Sequence, residues 1–416
     1  MSREVVVTGL GTVGAFGCGR QALEAALRSA RPALSLVDRS LYHRTGGARR
    51  AALACRNLAG WVPPAEARRM SAPSRLAVAA ARMALEDAGL GRGWTSPGRP
   101  PAETAVVVST AFGPSSCTEG LLQQIFLDSP ESASPFLFTE SVANAPAAQI
   151  AIATRARGAG ITLSQREAGP LLAVGSGAAE IALGRSRRAL AGSVEEITPL
   201  LHAVLDRFGA LARPRGLAEE EQEEVARPFD RRRDGFLAGE GATVLVLEEV
   251  GEARRRGARA LARVAAWGSA FDSTAAPTGW GEGAAGLAGA LVRCLERAGL
   301  RPGDVDLIVS GASGSREGDR LEALTLHAAW GEAPLPPVLA PKGVTGEYGG
   351  GFLAAALLAV QGVPFGPTAG FAEPDPELRL FPHGGGPLPT PRNTLVTSLA
   401  AGGAAAWLVL ARPEAA

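Results

Sequence analysis

Short runs of Val, Ile and Leu recur along the chain, and several of them end in small-residue turns. Stretches of Ala, Leu and Arg with helical spacing lie between these runs, an alternation that is typical of layered α/β folds. The most apolar long stretch, 352–363, is shorter than the roughly 20 residues that a membrane span needs, so it predicts a buried helix. The runs predict six strands: Val5–Val7, Ala105–Val108, Ile161–Leu163, Thr243–Leu247, Val305–Val309 and Ala406–Leu410.

A weak internal repeat adds to this pattern. The segment "RMALEDAGLGRG", followed by "AVVVSTAFG", resembles "VRCLERAGLRPGDVDLIVSGASG" in the second half of the chain. Both copies predict a helix that stops at glycine, then a strand and a small-residue turn. Such self-similarity indicates two related halves, and we place them at residues 1–250, which includes insertions, and 251–416. The Pro/Gly-rich segment around "FPHGGGPLPTP" predicts an irregular surface connection.

Composition narrows the function classes. A formal net charge of +1 over 416 residues gives no reason to expect a nucleic-acid or membrane surface. The four cysteines lie far apart and the histidines do not cluster, so we expect no disulfide framework, no metal and no cofactor. Reduced thiols favour a cytoplasmic protein. Lys342 is the only lysine among 42 basic residues, and a compact charge on a flexible stem suits a specific role.

The stretch "SQREAG" at 164–169 places a charged pair where a short apolar strand gives way to a buried helix. Turns from strand to helix are common positions for nucleophiles. The plain structural interpretation is that Glu167 is stabilised by the helix N-terminus, which would lower the pKa of its carboxyl, and that it pairs with Arg166. The functional interpretation makes Glu167 a base or an electrostatic element in a pocket.

Four segments of the chain form recognisable motifs: "VVVTGLGTVGAFG" at 5–17, "RPFDRRRDGFLAGEGATVLVLEE" at 227–249, "GDRLEA" at 318–323 and "PKGVTGEYGGG" at 341–351. The second segment is long and specific, whereas the first alone would be weak. Together they resemble the β-ketoacyl-ACP synthases over nearly the whole chain, in the family's order. The resemblance implies a thiolase-like fold, in which two similar mixed α/β halves form a five-layer αβαβα sandwich, and it implies a dimer.

The family's chemistry uses a cysteine nucleophile and two histidines. Aligning the motifs puts Glu167 at the cysteine position, Gly311 at the first histidine and Glu347, five residues after Lys342, at the second. The glycine-rich gate near the C-terminus reads "SLAAGG", with Leu399 and Ala401 in place of phenylalanines. Because a carboxylate cannot form the thioester that chain transfer requires, the resemblance predicts no catalytic residue for condensation.

One branch of the family fits this loss: the chain-length factors, or ketosynthase β subunits, of type II polyketide synthases. They resemble ketosynthases but lack the cysteine and usually carry Gln there, so Glu167 departs from their pattern. The branch implies a heterodimer with a catalytic ketosynthase, an acyl carrier protein as a further partner, and a polyketide or polyene tunnel at the interface. The corresponding tunnel residues are Phe112, Ser115, Ser116, Cys117 and Leu121.

Three hypotheses follow from these residues. In the first, a silent subunit carries a charged cluster of Glu167, Lys342 and Glu347 that plugs the former pocket. In the second, Glu167 and Glu347 perform other chemistry, such as malonyl-ACP decarboxylation or an acid-base cyclisation. In the third, the chain is a stand-alone homodimer that binds acyl chains. A simpler role for Lys342, support of the backbone, stays open beside the first hypothesis.

Overall fold

The structure is a computed structural model that describes residues 3–39, 49–91, 103–213 and 224–413. In these residues an 11-stranded mixed sheet forms the frame, and β3 and β4 make a separate two-stranded sheet. The strands are β1 Val5–Gly14, β2 Gly17–Cys18, β3 Ser35–Val37, β4 Arg49–Ala51, β5 Thr104–Ser109, β6 Gly160–Leu163, β7 Arg188–Glu195, β8 Gly241–Glu249, β9 Ala262–Phe271, β10 Leu307–Ser310, β11 Val338–Leu339, β12 Asn393–Leu399 and β13 Ala404–Ala411.

Helices precede or follow most of these strands, so the alternation seen in the sequence is realised in three dimensions. They are α1 Gly19–Ser29, α2 Pro64–Ala67, α3 Ala72–Asp87, α4 Ser115–Gln123, α5 Pro135–Ser141, α6 Ala145–Thr154, α7 Gly169–Ala182, α8 Pro199–Arg207, α9 Val250–Arg255, α10 Ala284–Arg297, α11 Arg316–Trp330, α12 Lys342–Thr345 and α13 Gly349–Val360.

The strand order shows the duplication directly. It runs β11-β10-β12-β13-β9-β1-β8-β7-β5-β6, with β2 beside β1. In the first half β5 pairs in parallel with β6 and β7, and β8 is antiparallel to β7 and β1. In the second half β10 pairs in parallel with β11 and β12, and β13 is antiparallel to β12 and β9. The same five-strand arrangement therefore occurs twice, joined where β1 pairs with β9.

Three hydrophobic cores separate the layers. The central core packs α7 and α13 between the two halves of the sheet. A second core lies between the first half-sheet and the outer helices α3 and α6, and a third between the second half-sheet and α10 and α11. The order helix, sheet, helix, sheet, helix confirms the expected five-layer sandwich.

The predicted elements agree closely with the observed ones. Five of the six predicted strands lie inside observed strands, whereas the sixth begins too early because Val305 caps a 3-10 turn ahead of β10. The apolar stretch beginning at Phe352 lies in α13, whose residues are all buried. Gly175 allows α7 to approach the second half-sheet closely, since a Cβ there would lie 2.8 Å from the Trp267 ring. Among the described residues no helix is long and apolar enough to cross a membrane.

Candidate functional site

The turn between β6 and α7 carries Glu167 into the interior. β6 ends at Leu163, and a 3-10 turn, Arg166–Ala168, leads into the helix. Arg166 has a left-handed backbone with a φ of 44°, a conformation that L-residues adopt at sharp turns and at some energetic cost. The Oε2 atom of Glu167 is buried and has no hydrogen-bond partner in the described part of the chain. The turn therefore presents a carboxylate to the inside of the fold.

The end of β12 closes over this turn. The Ser398 hydroxyl donates a hydrogen bond to the carbonyl oxygen of Glu167 at 2.7 Å. The exposed Arg166 guanidinium donates to the carbonyl oxygen of Ala401 at 3.1 Å, so the expected pair with Glu167 is wrong. Leu399 is buried and Ala401 is half-buried. Both predicted gate positions thus belong to the segment that packs on the turn between β6 and α7.

The equivalent turn of the second half carries Lys342 and Glu347. β11 is followed by α12 and then by Glu347, whose backbone N–H donates to the carbonyl of Leu237 at 2.7 Å. The Lys342 ammonium is fully buried and lies 2.7 Å from Oε1 and 2.8 Å from Oε2 of Glu347. It also lies 4.9 Å from the centre of the Phe352 ring. The only lysine of the chain is therefore the buried counter-ion of Glu347.

A small cavity joins the two turns. Glu167 and Glu347 line it together with Phe112, Tyr348 and Glu195. Its volume is about 40 Å³, and because one buried water needs roughly 10–15 Å³ of such space, the cavity has room for a few waters only. The structure therefore brings the two predicted carboxylates together around a space far smaller than an acyl chain.

Burial and a like charge raise the pKa of Glu167 to about 7. Loss of solvent is the main cause and the neighbouring Glu347 carboxylate the second, while Lys342 acts in the opposite direction. The expectation that the helix N-terminus would lower this pKa is wrong. Desolvation and like-charge repulsion outweigh a helix-end effect that is worth only a fraction of a pKa unit to about one unit.

Glu195 is a site residue that the sequence reasoning missed. It ends β7 and accepts hydrogen bonds from the backbone N–H groups of Ala111 and Phe112. Burial raises the pKa of its carboxyl to about 8, and Glu347 contributes in the same direction. The sequence does contain an indication of this role. Glu195 is a carboxylate at the end of a largely apolar strand, and an ionisable side chain in such a buried position is a candidate for a functional site.

Gly311 lies at the end of β10, and Ser398 occupies the space beside it. A Cβ at this position would lie 2.7 Å from the Ser398 hydroxyl oxygen and 3.0 Å from its Cα. A side chain as large as histidine therefore does not fit without displacement of β12. The same serine holds the Glu167 carbonyl, so the two substituted positions are connected through one residue.

Two buried carboxylates hold the loop that carries Gly311. Glu322 accepts a hydrogen bond from the Ser310 hydroxyl at 2.8 Å. Asp319 accepts from the backbone N–H groups of Gly314 and Phe229. Burial raises the pKa of Asp319 to about 6 and that of Glu322 to about 8. Their hydrogen bonds therefore fix the loop that carries Gly311.

The predicted tunnel residues separate into two groups. Phe112 lines the cavity next to Glu167. The other four belong to α4 and are absent from that lining: Ser116 donates its backbone N–H and its hydroxyl to Glu196, and Cys117 and Leu121 are buried. Ser115 begins the same helix. Of this set, the structure therefore brings only Phe112 to the cavity at Glu167.

No group of three or more His, Cys, Asp or Glu side chains is arranged to hold a metal ion within the described ranges. The lining of the cavity at Glu167 includes three carboxylates, those of Glu167, Glu195 and Glu347. The Lys342 ammonium pairs with Glu347 from outside this lining. Chemically this arrangement can bind and release protons, and the described residues that line the cavity include neither cysteine nor histidine.

Comparison with known proteins identifies the fold's family. The family model for the β-ketoacyl synthase N-terminal domain matches residues 2–253, and the model for the C-terminal domain matches 261–362. The tetracenomycin polyketide synthase ketoacyl synthase alpha subunit of Streptomyces glaucescens is 32% identical over 400 residues, or 91% of this chain and 89% of that protein. The beta subunit of the same synthase is 32% identical over 393 residues, or 90% of each.

A solved structure described as the ishigamide ketosynthase/chain length factor superposes with a TM-score of 0.88 at 29% identity. The superposition covers 100% of both chains. The predicted resemblance to the ketosynthase subunits of type II polyketide synthases is confirmed, and it extends equally to alpha and beta subunits. This chain belongs to the β-ketoacyl synthase family.

Proposed function

We propose that this chain is a catalytically silent chain-length factor that pairs with an active ketosynthase. In the pair, the partner's cysteine carries the growing chain and an acyl carrier protein delivers malonyl units. The observation that carries the proposal is the occupation of the three catalytic positions by Glu167, Gly311 and Glu347. A carboxylate cannot hold the chain as a thioester, and neither glycine nor glutamate replaces an imidazole.

The ion pair beside the cavity supports a second part of the proposal, that a charged cluster replaces the catalytic triad and plugs its pocket. The Lys342 ammonium lies in contact with Glu347, and its charge also acts on Glu167. An apolar chain would have to displace water from the three carboxylates that line the cavity, which is unfavourable. The proposal therefore favours the charged cluster over a role of Lys342 in supporting the backbone alone.

Exposed apolar side chains support a protein partner. Seven large ones lie within residues 112–142, and several of them are more than half exposed. β6, which follows this segment, ends the strand order of the described sheet and is available for pairing. Exposed apolar surface of this kind is typical of interaction sites. The residues are Phe112, Leu122, Phe126, Leu127, Phe136, Phe138 and Val142.

The proposed tunnel belongs to this same surface. α4 carries Ser115, Ser116, Cys117 and Leu121. We propose that these four residues, together with Phe112, lie at the interface and limit the length of the chain that extends from the ketosynthase partner. We further propose a cytoplasmic protein without cofactor, nucleic-acid partner or membrane partner. The division into halves at residues 1–250 and 251–416 is part of the same proposal.

Co-expression with a type II ketosynthase that retains its cysteine and two histidines tests this function. We expect a one-to-one heterodimer that converts malonyl-ACP into polyketide, detected by mass spectrometry of the products. The variant Glu167→Ala should retain product formation within about twofold, because the group takes no part in chemistry. Replacing the partner's cysteine with alanine should abolish products. A homodimer that does not bind the ketosynthase would instead support the stand-alone acyl-binding hypothesis.

A second candidate function is supported by Glu167 itself. Its pKa, raised to about 7, and its unpartnered oxygen suit proton transfer near neutral pH. In that case the C–C bond to the malonyl carboxylate of malonyl-ACP would break and release CO₂, and protonated Glu167 would donate its proton to the enolate that remains. The product would be acetyl-ACP, formed by the isolated chain at a rate that falls as the pH rises through about 7. The variant Glu167→Gln would remove this activity. If the chain is a silent subunit, as we propose, neither the natural chain nor this variant forms acetyl-ACP. The measurement therefore distinguishes the two candidate functions.

A further inference from the structure

An apolar cavity lies at the opposite end of α13 from the glutamate cluster. Its volume is about 420 Å³, and it is partly open to solvent. The cluster adjoins Gly349 at the start of the helix, whereas the cavity contacts Ala359 near its end. Ten residues at about 1.5 Å each place the two cavities roughly 15 Å apart along the helix axis. They are separate sites.

The lining of this cavity is uniformly apolar. Leu307, Leu339, Ala359 and Phe365 are buried and form the inner wall. The outer wall is the Pro/Gly-rich segment 386–391, which includes the half-buried Leu388. None of the described residues that line the cavity has a charged or polar side chain, and four of them are prolines, which lack a backbone N–H. The side chains of these described residues therefore offer a ligand no charge and no hydrogen-bonding group.

The outer wall is fixed at both ends. On one side, the His383 backbone N–H donates to the carbonyl of Val338 at 2.7 Å. On the other, the Asp306 carboxylate accepts hydrogen bonds from the backbone N–H groups of Arg392 and Asn393, both at 2.8 Å. These contacts tie the segment to β11 and to the start of β10. The cavity is thus part of the folded architecture.

A glycine just after α13 allows the outer wall of the cavity to pack against the end of this helix. Gly362 has a φ of 75°, and a Cβ there would lie 2.6 Å from the Thr390 hydroxyl oxygen. Only glycine combines this left-handed conformation with such a close approach. The wall therefore packs directly on the end of α13, and the empty volume lies beneath it.

We propose that this cavity binds a small uncharged molecule that is mainly aliphatic. Its volume falls within the range of roughly 300–1,000 Å³ that is usual for small-molecule sites. Protein interiors leave few voids larger than a water molecule, and an apolar cavity favours an apolar occupant over water. A carboxylate would lose its hydration without gaining a cation from the lining, whereas an uncharged hydroxyl loses much less on leaving water.

Isothermal titration of the purified full chain with 1-octanol and with octanoate at pH 8 tests the proposal. The two ligands share a chain length and differ in charge, and we expect octanol to bind at least about tenfold more tightly. The variants Ala359→Phe and Leu388→Trp should each weaken octanol binding roughly tenfold, as the loss of about two buried methylene groups would. Leu183→Ala, which changes an exposed leucine outside both cavities, should leave the octanol affinity unchanged.

Each outcome decides between the alternatives. Absence of octanol binding up to its solubility, or an affinity that neither filling variant changes, would overturn the site. Equal binding of octanoate would overturn the uncharged class. Ala359 is in a buried helix, so the melting temperature of its variant is recorded first, and Leu388→Trp on the outer wall keeps the test valid if the other variant unfolds. The measurement needs no ketosynthase partner and does not depend on the proposed function.

Discussion

The two halves of the molecule carry a glutamate at equivalent turns, but the two carboxylates have different neighbours. β6 leads through Glu167 into α7, and β11 leads through Glu347 into α13. Glu347 has a buried ammonium 2.7 Å away. Glu167 has a buried oxygen without a hydrogen-bond partner among the described residues. The duplicated fold thus places both side chains at equivalent turns. They differ because Lys342 forms an ion pair with Glu347 and not with Glu167.

The difference shows what decides the charge of a buried group. Both carboxylates follow a strand and precede a helix, so their position relative to the helix N-terminus is similar. The raised pKa of Glu167 follows from burial and from Glu347, which competes for the same lysine. A buried carboxylate keeps its charge where a cation lies in contact, and otherwise it tends to hold a proton.

The largest expected effect comes from removing that lysine. Lys342→Met keeps an unbranched side chain beside Phe352 but leaves Glu347 without its counter-ion. Breaking a buried pair typically costs about 3–5 kcal/mol, and we expect a loss in this range. Urea unfolding at pH 7 measures the change in the free energy of unfolding.

The matched control for this variant is Lys342→Met combined with Glu347→Gln. Without the unpaired carboxylate, the double variant should recover most of the lost stability. A single variant that loses less than about 1 kcal/mol would show that the pair is not a buried ion pair in solution. The comparison between the two turns would then have no electrostatic basis.

A smaller effect is expected from Glu167→Gln, and it should depend on pH. The pKa of Glu167 is about 7 in the folded chain and near 4.5 ordinarily. The folded state therefore binds this proton more tightly than the unfolded state does, and stability falls as the pH rises from about 4.5 through 7. Glutamine does not ionise, so at pH 8 the variant should be about 3 kcal/mol more stable than the natural chain.

Below about pH 4.5 this advantage should vanish, because Glu167 is then protonated in both states. The control is Glu282→Gln, which changes an exposed glutamate. It should alter the free energy of unfolding by less than about 0.5 kcal/mol at every pH. If both variants show the same pH dependence, Glu167 does not have the raised pKa that the comparison requires.

The smallest effect is expected at Gly311, which contacts the turn at Glu167 through Ser398. Gly311→Ala places a Cβ about 2.7 Å from the Ser398 hydroxyl oxygen, which must move and so disturb its bond to the Glu167 carbonyl. Overpacking of this size costs about 1–2 kcal/mol. Gly286→Ala is the matched control: no atom lies within 4 Å of the added Cβ in α10, so alanine should stabilise by up to about 1 kcal/mol. Equal thermal stability of the two variants would contradict the contact.

Much of the fold could be predicted from the sequence because its hydrophobic pattern is strong. Uninterrupted apolar runs such as Thr243–Leu247 became buried strands, and the repeat in the sequence became the repeated strand order. The error at Val305 has a local cause, since Pro302 starts a 3-10 turn that the apolar pattern does not reveal. Element boundaries depend on such turn chemistry more than on periodicity.

The site was predicted less completely. Motif spacing was enough to bring Glu167, Lys342 and Glu347 together, because each lies next to a recognisable motif. Glu195 was missed since its role depends on strands that are adjacent only in space. The sign of the Glu167 pKa shift was wrong for the same reason: the sequence shows the helix end but not the burial that outweighs it.

The central claim is that the chain never carries the acyl group. Intact-mass measurement of both subunits, after a reconstituted heterodimer has been incubated with malonyl-ACP and rapidly acidified, tests it most directly. We predict an acyl adduct on the ketosynthase partner alone, with this chain at its unmodified mass. A covalent acyl adduct on this chain, lost in Glu167→Gln, would contradict the claim.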